Sequence, residues 1–313
     1  MKNTILAHAA LMLLNILYGA NHLLAKGVMP AHLSSNAFIF LRVSVTTVFF
    51  VFLYFIFVRE KVKRQDIFLL AICGFFGVAL NQLFFFSGLE LTSAMNAGII
   101  MTSTPIIVVV MAYFILKEPI TKLKVIGILL GAIGAVQLIT LGRIPSFDSP
   151  LGDLYILINA ASFSLYLVLV KPLMSKYKPM TVITFNFIFG SIFVLLYPPV
   201  LTDVFQTNFF VIPSNVWWKI GFVVFGATCL TYLLNIFALK HVSPSVSGSY
   251  IYTQPILVII FTILFAKIGW SDDYSKSITG EKIIYMLLIF SGVYLISLSA
   301  YRLKKKNKMR VKD

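Results

Sequence analysis

Long apolar runs alternate along this chain with short polar breaks, and the spacing of the breaks matches a membrane's thickness. Stretches free of Asp, Glu, Lys and Arg cover 3–25, 43–58, 67–89, 91–116, 125–142, 154–170, 179–202, 220–239, 242–266 and 283–301. A helix crosses the hydrocarbon core with about 20 predominantly apolar residues. The second stretch reaches that length when it is extended through Arg42 to Ser35. One more charge-free stretch, 204–218, contains Gln206, Thr207, Asn208, Pro213, Ser214 and Asn215. Unsatisfied backbone is costly in lipid, so this segment is predicted as an external loop anchored at the interface by Trp217 and Trp218. The pattern as a whole predicts an all-α membrane protein with ten transmembrane helices. Lys2 followed by Ile5–Leu17 has the form of a signal peptide, but the apolar run continues past Gly19 and Ala20 to Ala25. It is therefore predicted to stay as the first span.

Composition supports this and removes one alternative. The chain is 59% hydrophobic and 12% charged, about half the roughly 25% charge of a soluble domain, so most of its surface must face something apolar. A net charge of +15 invites a nucleic-acid partner, yet no segment combines a basic face with a soluble core. The basic residues instead punctuate the apolar runs, and positive charge is retained on the cytoplasmic side. With the N-terminus inside, nineteen Lys/Arg fall on the inner side and six on the outer, with Arg42 in the membrane. Both termini are thus predicted to be cytoplasmic, in a plasma (inner) membrane. The basic tail, 302–313, is expected to meet anionic headgroups. Cys73 and Cys229 lie inside apolar runs, and no Cys/His spacing suits a metal. No metal or cofactor is predicted; the expected partners are the bilayer and a small-molecule substrate.

The chain also repeats itself. Laid 150 residues apart, Leu89–Val108 and Leu239–Val258 share Leu89/Leu239, Ser93/Ser243, Gly98/Gly248, Pro105/Pro255, Ile106/Ile256 and Val108/Val258. A similar register sets Lys26 over Lys171 at the ends of spans 1 and 6. The halves are then 1–141 and 151–301, joined at Gly142–Pro150. Five spans per half is an odd number, so the second half must insert upside down relative to the first. Inverted repeats of this kind are a hallmark of transporters, because two similar packings give two nearly equivalent states.

Several segments resemble the EamA-type branch of the drug/metabolite transporter superfamily. Span 1 ends Tyr18-Gly19-Ala20-Asn21-His22 before Lys26; span 2 carries Phe40-Leu41-Arg42; and Leu89, Ala94, Pro105 and Glu118-Pro119 match a Pro-bearing fourth helix that ends at a Glu. The likeness covers about residues 5–300. The position matching Glu118 in the second half is Ile268, and Tyr18 stands where the family usually has Trp. The resemblance implies transport of small organic metabolites, with export of amino acids or related amphipathic compounds as the first expectation, by alternating access. The competing readings are a membrane-embedded enzyme and a sensor. His8, His22, His32 and His241 are scattered without a carboxylate in the same span, and there is no sizeable soluble domain.

Individual residues divide into those with two readings and those that act as a group. Arg42 lies about 10 Å into its span at about 1.5 Å per residue. It either attracts a substrate carboxylate or phosphate, or ties helix 2 to backbone carbonyls. Glu118 is a coupling carboxylate, or it pairs with Lys117, Lys122 or Lys124, or it caps the following helix near Pro119 and Thr121. His22 is a titrating relay or a hydrogen-bonding partner. No Asp or Glu lies near the middle of a span, which weakens the case for carboxylate-based proton coupling. Uncharged polar groups at depth are Asn15, Tyr18 and Asn21; Asn81 and Gln82; Thr102, Ser103 and Thr104; Ser162, Ser164 and Tyr166; Thr231, Tyr232 and Asn235; and Tyr250, Tyr252 and Gln254. They serve as glue between helices or line an aqueous substrate cavity. The substrate-cavity set is Tyr18, Asn21, His22, Arg42, Asn81, Gln82, Thr102, Ser103, Thr104, Ser162, Tyr166, Tyr232, Asn235, Tyr250, Tyr252 and Gln254. Pro105 and Pro255 each remove a backbone bond and are assigned as hinges. Gly127, Gly131 and Gly134 permit close helix packing, within the chain or across a homodimer.

Overall fold

The computed structural model describes residues 2–117, 120–140, 148–242, 247, 248, 250–272 and 278–310; for 2, 135, 138–140, 252, 293, 297 and 300–310 only the backbone is described. Glu118, Pro119 and residues 142–147 of the 142–150 linker lie outside these residues, as does the side chain of Tyr252. The described chain is helical and contains no strand. Its first half comprises α1 (Lys2–Lys26), α2 (Ser35–Phe57), α3 (Arg64–Gly74), α4 (Asn81–Leu91), α5 (Ala94–Met101), α6 (Thr104–Leu116) and α7 (Lys122–Thr140). The second comprises α8 (Pro150–Lys176), α9 (Pro179–Leu195), α10 (Pro198–Gln206), α11 (Ser214–Gly221), α12 (Thr231–His241), α13 (Thr253–Lys267) and α14 (Gly280–Arg310).

Six continuous rods are long and apolar enough to cross a membrane: α1, α2, α3 with α4, α5 with α6, α8, and α11 with α12. A seventh is the pair α9 and α10, bent by 78°. The bend divides the predicted span 179–202. Pro198 has no N–H to continue the helix and holds Tyr197 extended, at φ −88° and ψ 105°. The predicted loop 204–218 is also only partly loop. α10 runs to Gln206, Pro213 caps α11, and Trp217 and Trp218 sit on the first turns of a spanning rod, with Trp218 against Trp270 at 4.8 Å. Residues 302–310 of the basic tail continue α14 rather than leaving it.

Two rods are interrupted by wide π-helical turns at matching places, Phe75–Leu80 between α3 and α4 and Phe222–Leu230 between α11 and α12. Turns of this kind recur at functional sites because they break the ordinary hydrogen-bond ladder. The fourth rod of each half is broken as well. Between α5 and α6, Thr102 and Ser103 turn their hydroxyls back on the carbonyls of Ile99 and Ile100, at 2.5 and 2.7 Å. At the counterpart break, Thr253 donates to Tyr250 O at 2.7 Å. Pro105 and Pro255 therefore stand in the first turns of new helices, where a missing N–H costs nothing.

The two broken rods cross each other reciprocally. A Cβ on Gly98 would lie 3.2 Å from Val258 Cγ2 and 3.7 Å from Pro255 Cα, and one on Gly248 would lie 3.8 Å from both Pro105 Cα and Val108 Cγ2. Lys26 and Lys171 repeat the theme. Lys26 Nζ donates to the carbonyls of Leu89, Glu90 and Thr92 at 2.8, 3.2 and 2.5 Å, and Lys171 Nζ to those of Leu239 and Val242 at 2.8 and 3.1 Å. Each lysine caps the end of the rod 150 residues away from the other's. The stripe of Gly127, Gly131 and Gly134 is filled within the chain, since a Cβ on Gly127 would collide with Gly292 O. α7 and α14 touch backbone to backbone, and that face is covered.

Candidate functional site: a cavity where the halves cross

The side chains that line a cavity near this crossing come from α1, α2, α4, α8, α12 and both broken rods. They are Tyr18, Asn21, His22, Arg42, Asn81, Gln82, Phe85, Phe86, Met101, Asn159, Phe163, Tyr232, Ile251 and Gln254. Eight of the sixteen residues assigned from sequence are among them. Helical spacing explains the convergence: Tyr18, Asn21 and His22 fall on one face of α1, as Asn159 and Phe163 do on α8. Counterpart positions meet across the space, Gln82 with Tyr232 and Met101 with Ile251. The cavity holds about 510 Å³ of atom-free space, most of it narrow clefts. Anything larger than a few waters requires its walls to part.

Arg42 is buried, and among the described residues no carboxylate pairs with it. Its Nε donates to Thr228 Oγ1, its Nη2 to Ala227 O at 3.2 Å, and its guanidinium lies over the Phe86 ring, 4.5 Å from the centroid. Both hydrogen-bond acceptors belong to the wide turn of the second half. The wide turn of the first half is held the same way from across the interface: Tyr232 donates to Gly77 O and Ser162 to Phe76 O, each at 2.6 Å. Of the two readings for Arg42, the tie to backbone is thus occupied, while the residue still faces the cavity.

The remaining assigned residues are engaged elsewhere. Thr102 and Ser103 bond within their own break, and Thr104 O accepts from Ser164 at 3.0 Å. Ser162 is spent on Phe76 O. Tyr166 packs on Gly77, where a Cβ would lie 2.4 Å from its ring. Asn235 accepts from Ser247 at 2.9 Å, and Tyr250 pairs with His8 Nδ1 at 2.7 Å. Thr102, Ser103, Ser162, Asn235 and Tyr250 hold helices together through these bonds, while the hydroxyls of Thr104 and Tyr166 are buried without a hydrogen-bond partner. Sequence reasoning passed over Asn159, whose signal is a lone amide one turn before Ser162, and the aromatic lining of Phe85, Phe86 and Phe163.

Apart from Arg42, buried charge among the described residues collects at the ends of the rods. At the Lys26 end, Lys282 and Asp148 form a fully buried ion pair at 2.7 Å. Beside it, Asp153 accepts from Thr92 Oγ1 at 2.6 Å and from Asn96 Nδ2 at 3.1 and 3.2 Å, which joins α8 to the start of α5. At the opposite end, His8 and Tyr250 join α1 to the start of the second broken rod. Asp66 accepts there from Lys176 and from Tyr177, both at 2.7 Å. No group of three His, Cys, Asp or Glu among the described residues would hold a metal ion.

The profile of the EamA-like transporter family matches the chain twice, over residues 5–140 and 150–298. The chain belongs to the EamA-like transporter family. Curated relatives agree with that placement. An uncharacterized transporter of Bacillus subtilis, YyaM, is 27% identical over 80% of this chain and 81% of its own length. A second from the same organism, YetK, is 26% identical over 76% of this chain and 72% of its own. A solved structure titled only as a crystal structure of a protein superposes with a TM-score of 0.63, at 19% identity, over 96% of this chain and 99% of that one. That likeness is one of fold. This EamA-like protein is therefore a multi-pass membrane transporter, built from two copies of the family's repeat.

Proposed function

We propose that this EamA-like transporter moves small organic metabolites across the plasma membrane by alternating access, and that amphipathic compounds such as amino acids leave the cell through it. In this reading ten spans form two five-helix halves of opposite insertion, with both termini cytoplasmic. The observation that carries the proposal is the reciprocal crossing of the two broken rods, Gly98 on Pro255 and Gly248 on Pro105, directly beside a cavity with polar lining. A pathway needs a barrier on each side of its site, and each barrier must be able to open alone. Asp153 with Thr92 and Asn96 joins the halves at one end of the rods, and His8 with Tyr250 joins them at the other. Rocking one half on the other separates one of these contacts while the other stays closed. The cavity lining described contains one guanidinium, one imidazole and no carboxylate, which favours facilitated diffusion or weak coupling over a steep ion pump.

The deciding experiment reconstitutes the purified chain in liposomes and follows efflux of a broad panel of radiolabelled amino acids and amphipathic metabolites. Saturable flux above that of empty liposomes is expected for at least one compound. A chain that is folded and correctly inserted, yet passes none of the panel, would overturn the transport reading.

A further inference from the structure

The cavity presents hydrogen-bond acceptors, and their direction is dictated by backbone carbonyls, which only accept. His22 Nδ1 lies 2.6 Å from Tyr18 O, so Nδ1 carries the hydrogen, and in the neutral ring Nε2 is left as an acceptor. Asn159 donates through Nδ2 to Asn81 O at 2.7 Å, which turns its Oδ1 the other way. The third case is a relay. Asn15 Nδ2 donates to Leu11 O at 2.8 Å, Asn15 Oδ1 accepts from Gln254 Nε2 at 3.2 Å, and Gln254 Oε1 is thereby left over. His22, Asn159 and Gln254 are each at most 2% exposed. Their atoms Nε2, Oδ1 and Oε1 are all buried without a hydrogen-bond partner, as are Asn21 Oδ1 and, on Gln82, both the acceptor Oε1 and the donor Nε2. Buried polar atoms are paired in the great majority of cases, so five such acceptors against one donor around one space mark a place where donors are meant to arrive.

The rest of the lining limits what those donors belong to. Arg42 has already committed Nε and Nη2 to Thr228 and Ala227, so it offers a positive field more than a free fork. An anion would meet the field of Arg42 and one bare donor, Gln82 Nε2, but would set its remaining lone pairs against five acceptors. A cation would satisfy the acceptors but would share a low-dielectric space with Arg42 and no lining carboxylate. Phe85, Phe86 and Phe163 supply an apolar wall. Resting on the reading that this cavity is the substrate site, we propose that it selects molecules of no net charge that carry at least two N–H or O–H donors beside an aromatic or aliphatic body. His22, Asn159 and Gln254 are the residues that set this specificity. A site built to bond a donor discriminates strongly against the analogue that lacks it, because its own polar groups are then left bare.

The test uses three probes on one skeleton, 3-phenylpropionamide, methyl 3-phenylpropionate and 3-phenylpropionate. Their binding to the purified full-length protein is measured by calorimetry and by shift of the melting temperature. The amide is expected to bind about tenfold or more tightly than the ester, with the carboxylate weakest. Asn159→Leu and Gln254→Leu should erase the preference of amide over ester. Should either variant fail to fold, Gln254→Glu serves instead, and it should keep the amide preferred over the ester while gaining binding of phenethylammonium, which the wild type rejects. Equal binding of amide and ester, tightest binding of the carboxylate, or no binding of any probe would overturn the assignment. The amide preference without flux of any compound would support the assignment and sink the transport reading. Flux with no donor preference would do the reverse.

Discussion

Arg42 donates through Nη2 to the carbonyl of Ala227, 3.2 Å away in the opposite half of the chain. Gly77, 150 residues before Ala227, has its carbonyl held at 2.6 Å by Tyr232, again from the opposite half. Each wide turn is thus pinned by a side chain of the other repeat. The sole cation predicted within a span turns out to be part of the joint between repeats as well as part of the cavity wall. A charge there is tolerated because two of its donors go to a hydroxyl and a carbonyl and its face lies on Phe86.

For this reason Arg42→Gln should reduce flux of neutral and anionic substrates alike, and Arg42→Lys should not restore it, since an ammonium lacks the planar fork. Loss of a hydrogen bond from a charged group costs about 1.5–3 kcal/mol, enough to lower the melting temperature measurably in detergent. A loss confined to anions would instead assign Arg42 to direct recognition of substrate.

The buried pair Lys282–Asp148 should behave unequally in single and double variants. Asp148→Leu or Lys282→Met alone leaves an uncompensated buried charge and should cost about 3–5 kcal/mol. Combining Asp148→Leu with Lys282→Met should recover most of that, because an apolar pair of similar size has no desolvation to offset. Melting curves of the four proteins complete the cycle; strictly additive losses would contradict it.

Backbone approach makes a sharp distinction among glycines. Gly292→Val should separate α7 from α14, since a Cβ there meets Gly127 O at 2.4 Å and Gly131 N at 2.8 Å, and neither is a side chain able to move aside. Overpacking costs about 1–3 kcal/mol or more. Gly248→Ala, whose nearest contacts are 3.8 Å away, should be nearly neutral in the same melt.

Lys26→Met and Lys171→Met each expose helix-end carbonyls to an apolar side chain. The first removes three donated bonds and the second two, so both should destabilise, Lys26→Met the more. Identical melting temperatures for both variants and the wild type would show that water replaces the ammonium at no cost.

Alternating access itself is open to a locking experiment. In a background with Cys73→Ser and Cys229→Ser, the pair Asn96→Cys with Asp153→Cys should be joined by a short bifunctional thiol reagent. So should His8→Cys with Tyr250→Cys at the other end. Each joint should stop flux, and reduction of a cleavable reagent should restore it. Full flux through either locked protein would sink the two-barrier picture.

The membrane character, the positions of most rods and the repeat were all legible along the chain, because they rest on local properties: apolar length, charge at the breaks, and paired Gly and Pro at a fixed offset. Half of the proposed cavity set was legible for the same kind of reason, as polar residues at helical spacing in apolar surroundings. What local pattern does not contain is the nearest partner of each polar group. Ser162 and Asn159 lie three residues apart in the same rod, yet one bonds Phe76 O and the other keeps an acceptor bare beside the cavity. The buried charges were missed for a related reason. Asp148, Asp153 and Lys282 stand at the ends of apolar runs, where a charge usually faces water, and only packing against α5 and α14 takes them out of it.

By itself, then, the sequence determined that this protein lives in a bilayer and is made of two similar halves, since the energy of an apolar run in lipid is summed residue by residue. Only the tertiary structure decided which polar atoms face one another and which are left over. That selection depends on distances between residues far apart in the chain, as when Gln254 spends its donor on Asn15 and keeps its acceptor for whatever enters the cavity.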